Sequence, residues 1–307
     1  MPSADATAEQ VPPYVFPLLI FSKRLHSIFL LRCFNDCIAV FFLWAAIFLL
    51  QRRAWTAGAL FYTLGLGVKM SLLLGLPALG CVLLLGRGFR GALRLASLTA
   101  QVQVALAVPF LRANTWGYAA RAFELSRRFL FRWTVNWRFV GEDVFLSRPF
   151  AAALLALHAA ALVALAAGRW LRPTRKPLGD LVAPMLVFAS PFTDREEKEL
   201  TKSVNPRYVL TTLLTANVVG LLFARSLHYQ FYAYLAWATP YLLWRSGVHP
   251  VVQYGLWALQ EWAWNVYPST PLSSAAVVGV LAATVALVWV GAREEYEPRA
   301  KDQSARR

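Results

Sequence analysis

The chain has 307 residues, of which 58% are hydrophobic, and a mean hydropathy of +0.48. That composition excludes a disordered chain and an ordinary soluble domain, and points to an integral membrane protein with many spans. The net charge of +15 suggests a polyanionic partner, yet the basic residues sit between apolar runs, where topology and anionic lipid or phosphate explain them better than nucleic acid.

Residues 1–10 are polar and lack a basic region ahead of an apolar core, so no cleavable signal peptide is expected. Candidate spans follow at 28–50, 55–68, 70–85, 95–111, 149–167, 208–224, 231–244, 248–263 and 271–290. The apolar stretch 15–21 resembles the stump of another, and 181–189 is too short to cross. The fold class is therefore all-α, a polytopic bundle of about nine to eleven transmembrane or re-entrant helices. The organisation reads as a polar start over 1–10, a membrane domain over 11–292 and a basic tail over 293–307. Cys33, Cys37 and Cys81 show no metal or disulfide spacing and read as small apolar fillers.

Basic residues fix the orientation. Arg52 and Arg53, the group Arg87, Arg90 and Arg94, the group Arg169 to Lys176, the run 194–207 and the tail fall on one side, cytoplasmic by the positive-inside rule. Lys69, the segment 112–148, the hairpin 225–230 and the stretch 265–270 fall on the other. The segment 112–148 carries seven arginines against three acids, Glu124, Glu142 and Asp143, on the side that should be poor in positive charge. Its alternation of aromatic and basic residues suits an amphipathic stretch in the headgroup layer. Its arginines either snorkel or cradle a lipid phosphate. Glu142 and Asp143 read as a solvated turn.

Arg225, His228, Tyr229 and Gln230 pack a cation, an imidazole, a phenol and an amide between two apolar helices. Intramembrane polar clusters usually mark a ligand, with an interfacial anchor as the competing account. Arg24, His26, Arg32 and Asp36 cluster at the start of a span, and continued helix would pair Arg32 with Asp36 four residues on. Glu261, Trp262 and Asn265 place a carboxylate in a Trp-rich helix, where it should find an arginine and act as scaffold.

Five stretches then resemble a known family: Ser22-Lys-Arg-Leu-His-Ser-Ile-Phe-Leu-Leu-Arg-Cys-Phe-Asn-Asp36, Val68-Lys-Met70, Arg132-Trp-Thr-Val-Asn-Trp-Arg138, Phe223-Ala-Arg-Ser-Leu-His-Tyr-Gln-Phe-Tyr232 and Glu261-Trp-Ala-Trp-Asn-Val-Tyr-Pro-Ser-Thr270. In this order they are similar to the dolichyl-phosphate-mannose-dependent alpha-1,3-mannosyltransferases of asparagine-linked glycosylation, glycosyltransferase family 58. The resemblance implies a GT-C-like bundle in the endoplasmic reticulum membrane, active on the lumenal face. It implies inverting transfer of mannose from dolichyl-phosphate-mannose to a five-mannose dolichol-pyrophosphate oligosaccharide, without cofactor, metal or nucleotide sugar.

In GT-C enzymes the acidic first lumenal loop supplies the base, and this sequence reaches Val11-Pro-Pro-Tyr-Val, already inside the family pattern, after ten polar residues. The catalytic base is therefore assigned to no residue, and a shortened chain is expected. A departing phosphate needs cations or hydrogen-bond donors, which points to Arg225 and His228 for the donor phosphate, with hydrogen bonds from Tyr229 and Gln230 and with Lys69 a further ligand or a snorkelling lysine. Trp133, Asn136, Trp137 and Arg138 are expected at the acceptor glycan, against the alternative of an aromatic belt. Arg24, His26, Arg32, Asp36, Glu261, Trp262 and Asn265 support the site. A membrane protein that binds lipid-linked sugar without turnover is the alternative, and a transporter fits less well for want of an inverted repeat.

Overall fold

A computed structural model describes residues 11–122 and 130–297. The polar start, the tail beyond 297 and the stretch 123–129 of the aromatic–basic segment lie outside the described residues. Among the described residues every regular element is helical, as the composition requires. In chain order these are α1 (Pro13–Ile20), α2 (Lys23–Leu31), α3 (Asp36–Gln51), α4 (Trp55–Val68) and α5 (Met70–Ala122). There follow α6 (Glu142–Leu146), α7 (Arg148–Trp170), α8 (Leu178–Leu186) and α9 (Asp194–Ser203), then α10 (Pro206–Phe223), α11 (Ala238–Arg245), α12 (Pro250–Asn265) and α13 (Pro271–Gly291). Four of them, α5, α7, α10 and α13, are long and apolar enough to cross a membrane, and α1 with α2 forms a candidate span bent by 42°.

The centre is α10. Asn205 caps it by accepting from the Tyr208 N–H at 2.8 Å, and Pro206 opens its first turn, the usual start of a helix. Nearly every residue of α10 is buried, including Thr211, Thr212, Thr215 and Asn217. A dry environment demands partners for these groups. Thr215 donates to the Thr211 carbonyl, Thr211 meets the Tyr241 hydroxyl at 3.1 Å, and Asn217 donates to the Tyr234 carbonyl at 3.1 Å. By contrast α7 turns most of its apolar surface outward, as a lipid-facing span does.

One residue reverses the chain inside α5. Gly88 has φ 69° and ψ 176°, a conformation open essentially to glycine alone. Before it, Leu72 lies on Gly65 and Gly86 on Trp55, so the first arm runs antiparallel to α4. After it, Gln103 donates to the Thr63 carbonyl at 2.7 Å and Leu106 lies on Gly67, so the second arm runs parallel to α4. The two spans expected at 70–85 and 95–111 are both present. The basic loop between them is replaced by a one-residue break, and the second arm ends at Asn114, φ −161° and ψ 92°.

Other boundaries move for local reasons. The span expected from residue 28 starts at Asp36, because a π-turn over Ser27–Leu31 and Cys33 at φ 46° stop the earlier helix. The span 231–244 divides into a 3-10 helix, Tyr229–Tyr234, and α11. The aromatic–basic segment is no continuous amphipathic helix over its described part, since Trp137 (φ 56°) and Gly141 (φ 85°) break it into single turns. The tail begins with a docked turn: the buried Glu295 pairs with the half-buried Arg245, and Tyr296 packs edge-on against Tyr208 at 5.6 Å.

Each successive long helix carries the chain between two ends of the bundle. One end gathers Trp55, Gly88, the α9 carboxylates and Glu295, joined by contacts such as Phe89 N–H to Glu197 and Lys176 to Glu196 at 2.9 Å. The opposite end gathers Ser22 to Asp36, Lys69, 130–147, 224–234 and 261–274.

Candidate functional site

All five family-like stretches meet at that second end, the Asp36 end, and the geometry sorts them into scaffold and surface. The scaffold is a buried knot around Asn136, which is 0% exposed. Its amide nitrogen donates to the Ala224 carbonyl at 2.6 Å, and its oxygen accepts from the Leu227 N–H at 2.7 Å and from Thr134 at 2.9 Å. Val135 N–H donates to the Leu227 carbonyl at 2.8 Å, and Ser269 donates to the Thr134 carbonyl at 2.6 Å. Asn136, expected at the glycan, is thus a strut that locks the 134–136 strip to the 224–227 hairpin. Its burial leaves no edge for a sugar.

Lys69 also has a structural partner. Its ammonium lies 2.8 Å from Asp36 Oδ2 and 2.9 Å from Asn35 Oδ1, while Asp36 is fully buried. The pairing expected between Arg32 and Asp36 does not form, because the Cys33 break removes the helical register that would align them, and Arg32 is exposed. A Ser71 hydroxyl donating to the Tyr234 hydroxyl at 2.8 Å completes the α3–α5 corner.

Arg225 turns its Nη2 to the carbonyls of Phe145 (3.2 Å) and Leu146 (2.9 Å), closing the C-terminal end of α6. Arg138 is anchored through its backbone N–H to Ser274 at 2.6 Å, and its side chain donates to the Phe131 carbonyl at 3.0 Å. Trp137 packs on Phe139 and Phe150, while Trp133 is 38% exposed with the Arg132 guanidinium 5.0 Å from its ring. Glu142 and Asp143 occupy the exposed first turn of α6, in keeping with a solvated turn.

The remaining groups face one another around Tyr229. Its hydroxyl donates to the Val266 carbonyl at 2.6 Å, which fixes the ring, and the Arg24 guanidinium sits 4.7 Å from the ring centroid. Glu261, expected to pair with an arginine, instead accepts from the Tyr232 hydroxyl and from Asn265 at 3.2 Å. Arg24 lies near enough to feel that carboxylate and the opposing charge of Arg32. His228 and Gln230 flank Tyr229, half-buried; His26 is exposed, and Trp262 is 46% exposed. The Asp36 end is thus a cationic surface whose carboxylates, the buried Asp36 and the half-buried Glu261, are already satisfied in part by neighbours. Such a surface attracts a phosphate, and its aromatic rim offers faces to a sugar.

Tyr232, Tyr234, Ser71, Thr134 and Ser269 carry the scaffold and were not singled out from sequence, although four of the five lie within or beside the quoted stretches. Two cavities lie elsewhere. One of about 330 Å³ at the Gly88 end is lined by Arg87, Glu197 and Lys198 among others, and one of about 400 Å³ lies between α7, α10 and α13.

Residues 5–274 match the family model described as ALG3 protein. The chain belongs to the ALG3 protein family. Among its relatives is a Neurospora crassa protein named Dol-P-Man:Man(5)GlcNAc(2)-PP-Dol alpha-1,3-mannosyltransferase, 62% identical over 96% of this chain and 67% of the relative. A human protein of the same name is 41% identical over 92% of this chain and 63% of the relative. A Dictyostelium discoideum protein, named as probable in the same role, is 37% identical over 86% of this chain and 57% of the relative. The chain therefore spans about two thirds or less of the length of these ALG3 relatives. No solved structure matches it.

Proposed function

We propose that the protein transfers a mannosyl group in alpha-1,3 linkage from dolichyl-phosphate-mannose to the five-mannose dolichol-pyrophosphate oligosaccharide. The observation that carries this reading is the 62% identity over 96% of the chain to the Neurospora relative of that name, which spans every residue of the cationic end. We place the reaction in the endoplasmic reticulum membrane, with the Asp36 end lumenal, because basic residues crowd the Gly88 end.

Transfer would proceed by inversion. An acceptor hydroxyl attacks the anomeric carbon of the donor mannose, and the bond from that carbon to the phosphate oxygen breaks. The electron pair leaves on dolichyl phosphate, and the hydroxyl proton passes to a base that no residue of this chain is assigned to provide. The departing phosphate gains negative charge, so fixed cations and donors lower the barrier without a general acid. His228 and Gln230 are the proposed groups facing it, with Arg225 behind them on the Phe145 and Leu146 carbonyls, Tyr229 fixed on the Val266 carbonyl, and Lys69 reassigned to the Asp36 pair. Trp133, Trp137 and Arg138 are proposed at the acceptor, whose sugar faces suit aromatic rings.

Expression in cells that lack the alpha-1,3-mannosyltransferase tests the proposal. Disappearance of the accumulated five-mannose lipid-linked oligosaccharide supports it. Persistence of that species, with the protein present in the membrane at normal level, overturns it.

A further inference from the structure

Two arginines of the cationic end differ in how their donors are used. Arg225 gives its guanidinium hydrogens to the carbonyls of Phe145 and Leu146 and holds a loop. Arg24 is half-buried, its Nε is shielded from solvent without a hydrogen-bond partner, and no hydrogen bond or ion pair ties its guanidinium to any described residue. Yet its position is fixed. The Ser22 hydroxyl caps the α2 start by accepting from Leu25 N–H at 3.3 Å, and the guanidinium rests 4.7 Å from the centroid of a Tyr229 ring that Val266 immobilises.

A half-buried cation with unused donors is costly unless an anion completes it. Glu261 is the nearest candidate counter-ion, but its oxygens already accept from Tyr232 and Asn265, and it forms no ion pair with Arg24. Arg32, close by, adds a second positive charge rather than relieving the first. The arrangement therefore offers a pre-positioned guanidinium, held over an aromatic face, with its buried Nε left without a hydrogen-bond partner. Guanidinium groups take phosphate oxygens side by side, and immobilisation before binding reduces the entropy lost on docking.

We infer that Arg24, rather than a supporting residue, is a direct ligand of the phosphate of the isoprenoid donor, a diester that becomes the dolichyl phosphate monoester when mannose leaves, whereas Arg225 chiefly holds the α6 loop in place. This rests on the mannosyl-transfer reading for the identity of the lipid, though not for the presence of the anion site. Tyr229 acts as a positioning residue, since its ring holds the guanidinium.

The test measures binding of dolichyl phosphate and, separately, dolichyl pyrophosphate to the full-length protein in lipid nanodiscs, with melting temperature recorded for every variant. Arg24→Gln is expected to weaken dolichyl phosphate binding about ten- to hundredfold, the value of a charge-assisted contact, at unchanged melting temperature. Arg225→Gln is expected to lower the melting temperature. If Arg24→Gln fails to fold, Arg24→Lys decides, because it keeps the charge and removes the fork. Weakened monophosphate binding then supports the assignment, and wild-type binding overturns it. Loss confined to the pyrophosphate would move Arg24 to the acceptor and overturn the donor assignment. Tight, Arg24-dependent binding without mannose transfer would leave Arg24 in place and remove the transfer reading. Transfer with unchanged donor affinity in Arg24→Gln would do the reverse.

Discussion

Asp36 and Lys69 show how a single contact can redirect a residue's role. An acid 0% exposed requires a partner, and the ammonium 2.8 Å away supplies it from the extended junction between α4 and α5, 33 positions on. Removing one member of such a pair leaves an uncompensated charge, which costs about 3 kcal/mol or more. Asp36→Asn should therefore lower the melting temperature markedly, and the double change Asp36→Asn with Lys69→Met should recover much of the loss. Equal melting temperatures for Asp36→Asn and the unaltered protein would rule the pair out as a stabilising contact. Lys69 reads as a phosphate ligand in sequence because it stands alone between apolar runs, and nothing local reveals that Asp36 faces it. Asn136 is similar: an amide among tryptophans suits a glycan, and only the tertiary fold turns it inward.

At the level of elements, the helices were legible wherever apolar runs were long, and the breaks were legible least. Gly88 lies in a basic stretch that resembles an ordinary cytoplasmic loop. The structure makes it a one-residue reversal because φ 69° with ψ 176° is open to glycine and the Glu197 carboxylate receives the Phe89 N–H on the far side. Gly88→Ala should destabilise the protein by about 1–3 kcal/mol, read as a lower melting temperature, through backbone strain and displacement of Glu197. No change would mean that the reversal tolerates a side chain.

The neighbouring helix α9 carries a capping box, Thr193 with Glu196, in which the Thr193 backbone N–H and then Lys176 hold the Glu196 carboxyl below the usual carboxylate range. A depressed carboxylate contributes stability above its unfolded value and loses it as pH falls through its folded one. Hydrogen-exchange protection of α9 should therefore fall with acidification over the carboxylate range. Glu196→Gln should flatten that dependence; an unchanged profile would point to another group.

For the molecule as a whole, alternation of basic and aromatic segments along the chain correctly separates the two ends, because charge asymmetry and span order act over long distances. It does not reveal which residues at the Asp36 end face outward, since that depends on the Asn136 knot and the Tyr229 clamp. Orientation is testable in sealed microsomes with a membrane-impermeant thiol reagent. Cys33, exposed at the Asp36 end, should react only after permeabilisation, and a cysteine replacing the exposed Lys198 should react without it. The opposite pattern would invert the topology.

The most direct measurement is mannose transfer itself. Membranes in which this protein is the sole alpha-1,3-mannosyltransferase would receive labelled dolichyl-phosphate-mannose and the five-mannose dolichol-pyrophosphate acceptor. The account predicts a six-mannose product whose new residue is alpha-1,3-linked, formed without added metal and absent when the donor is a nucleotide sugar. A folded, membrane-inserted protein that binds the donor and yields no such product would contradict it.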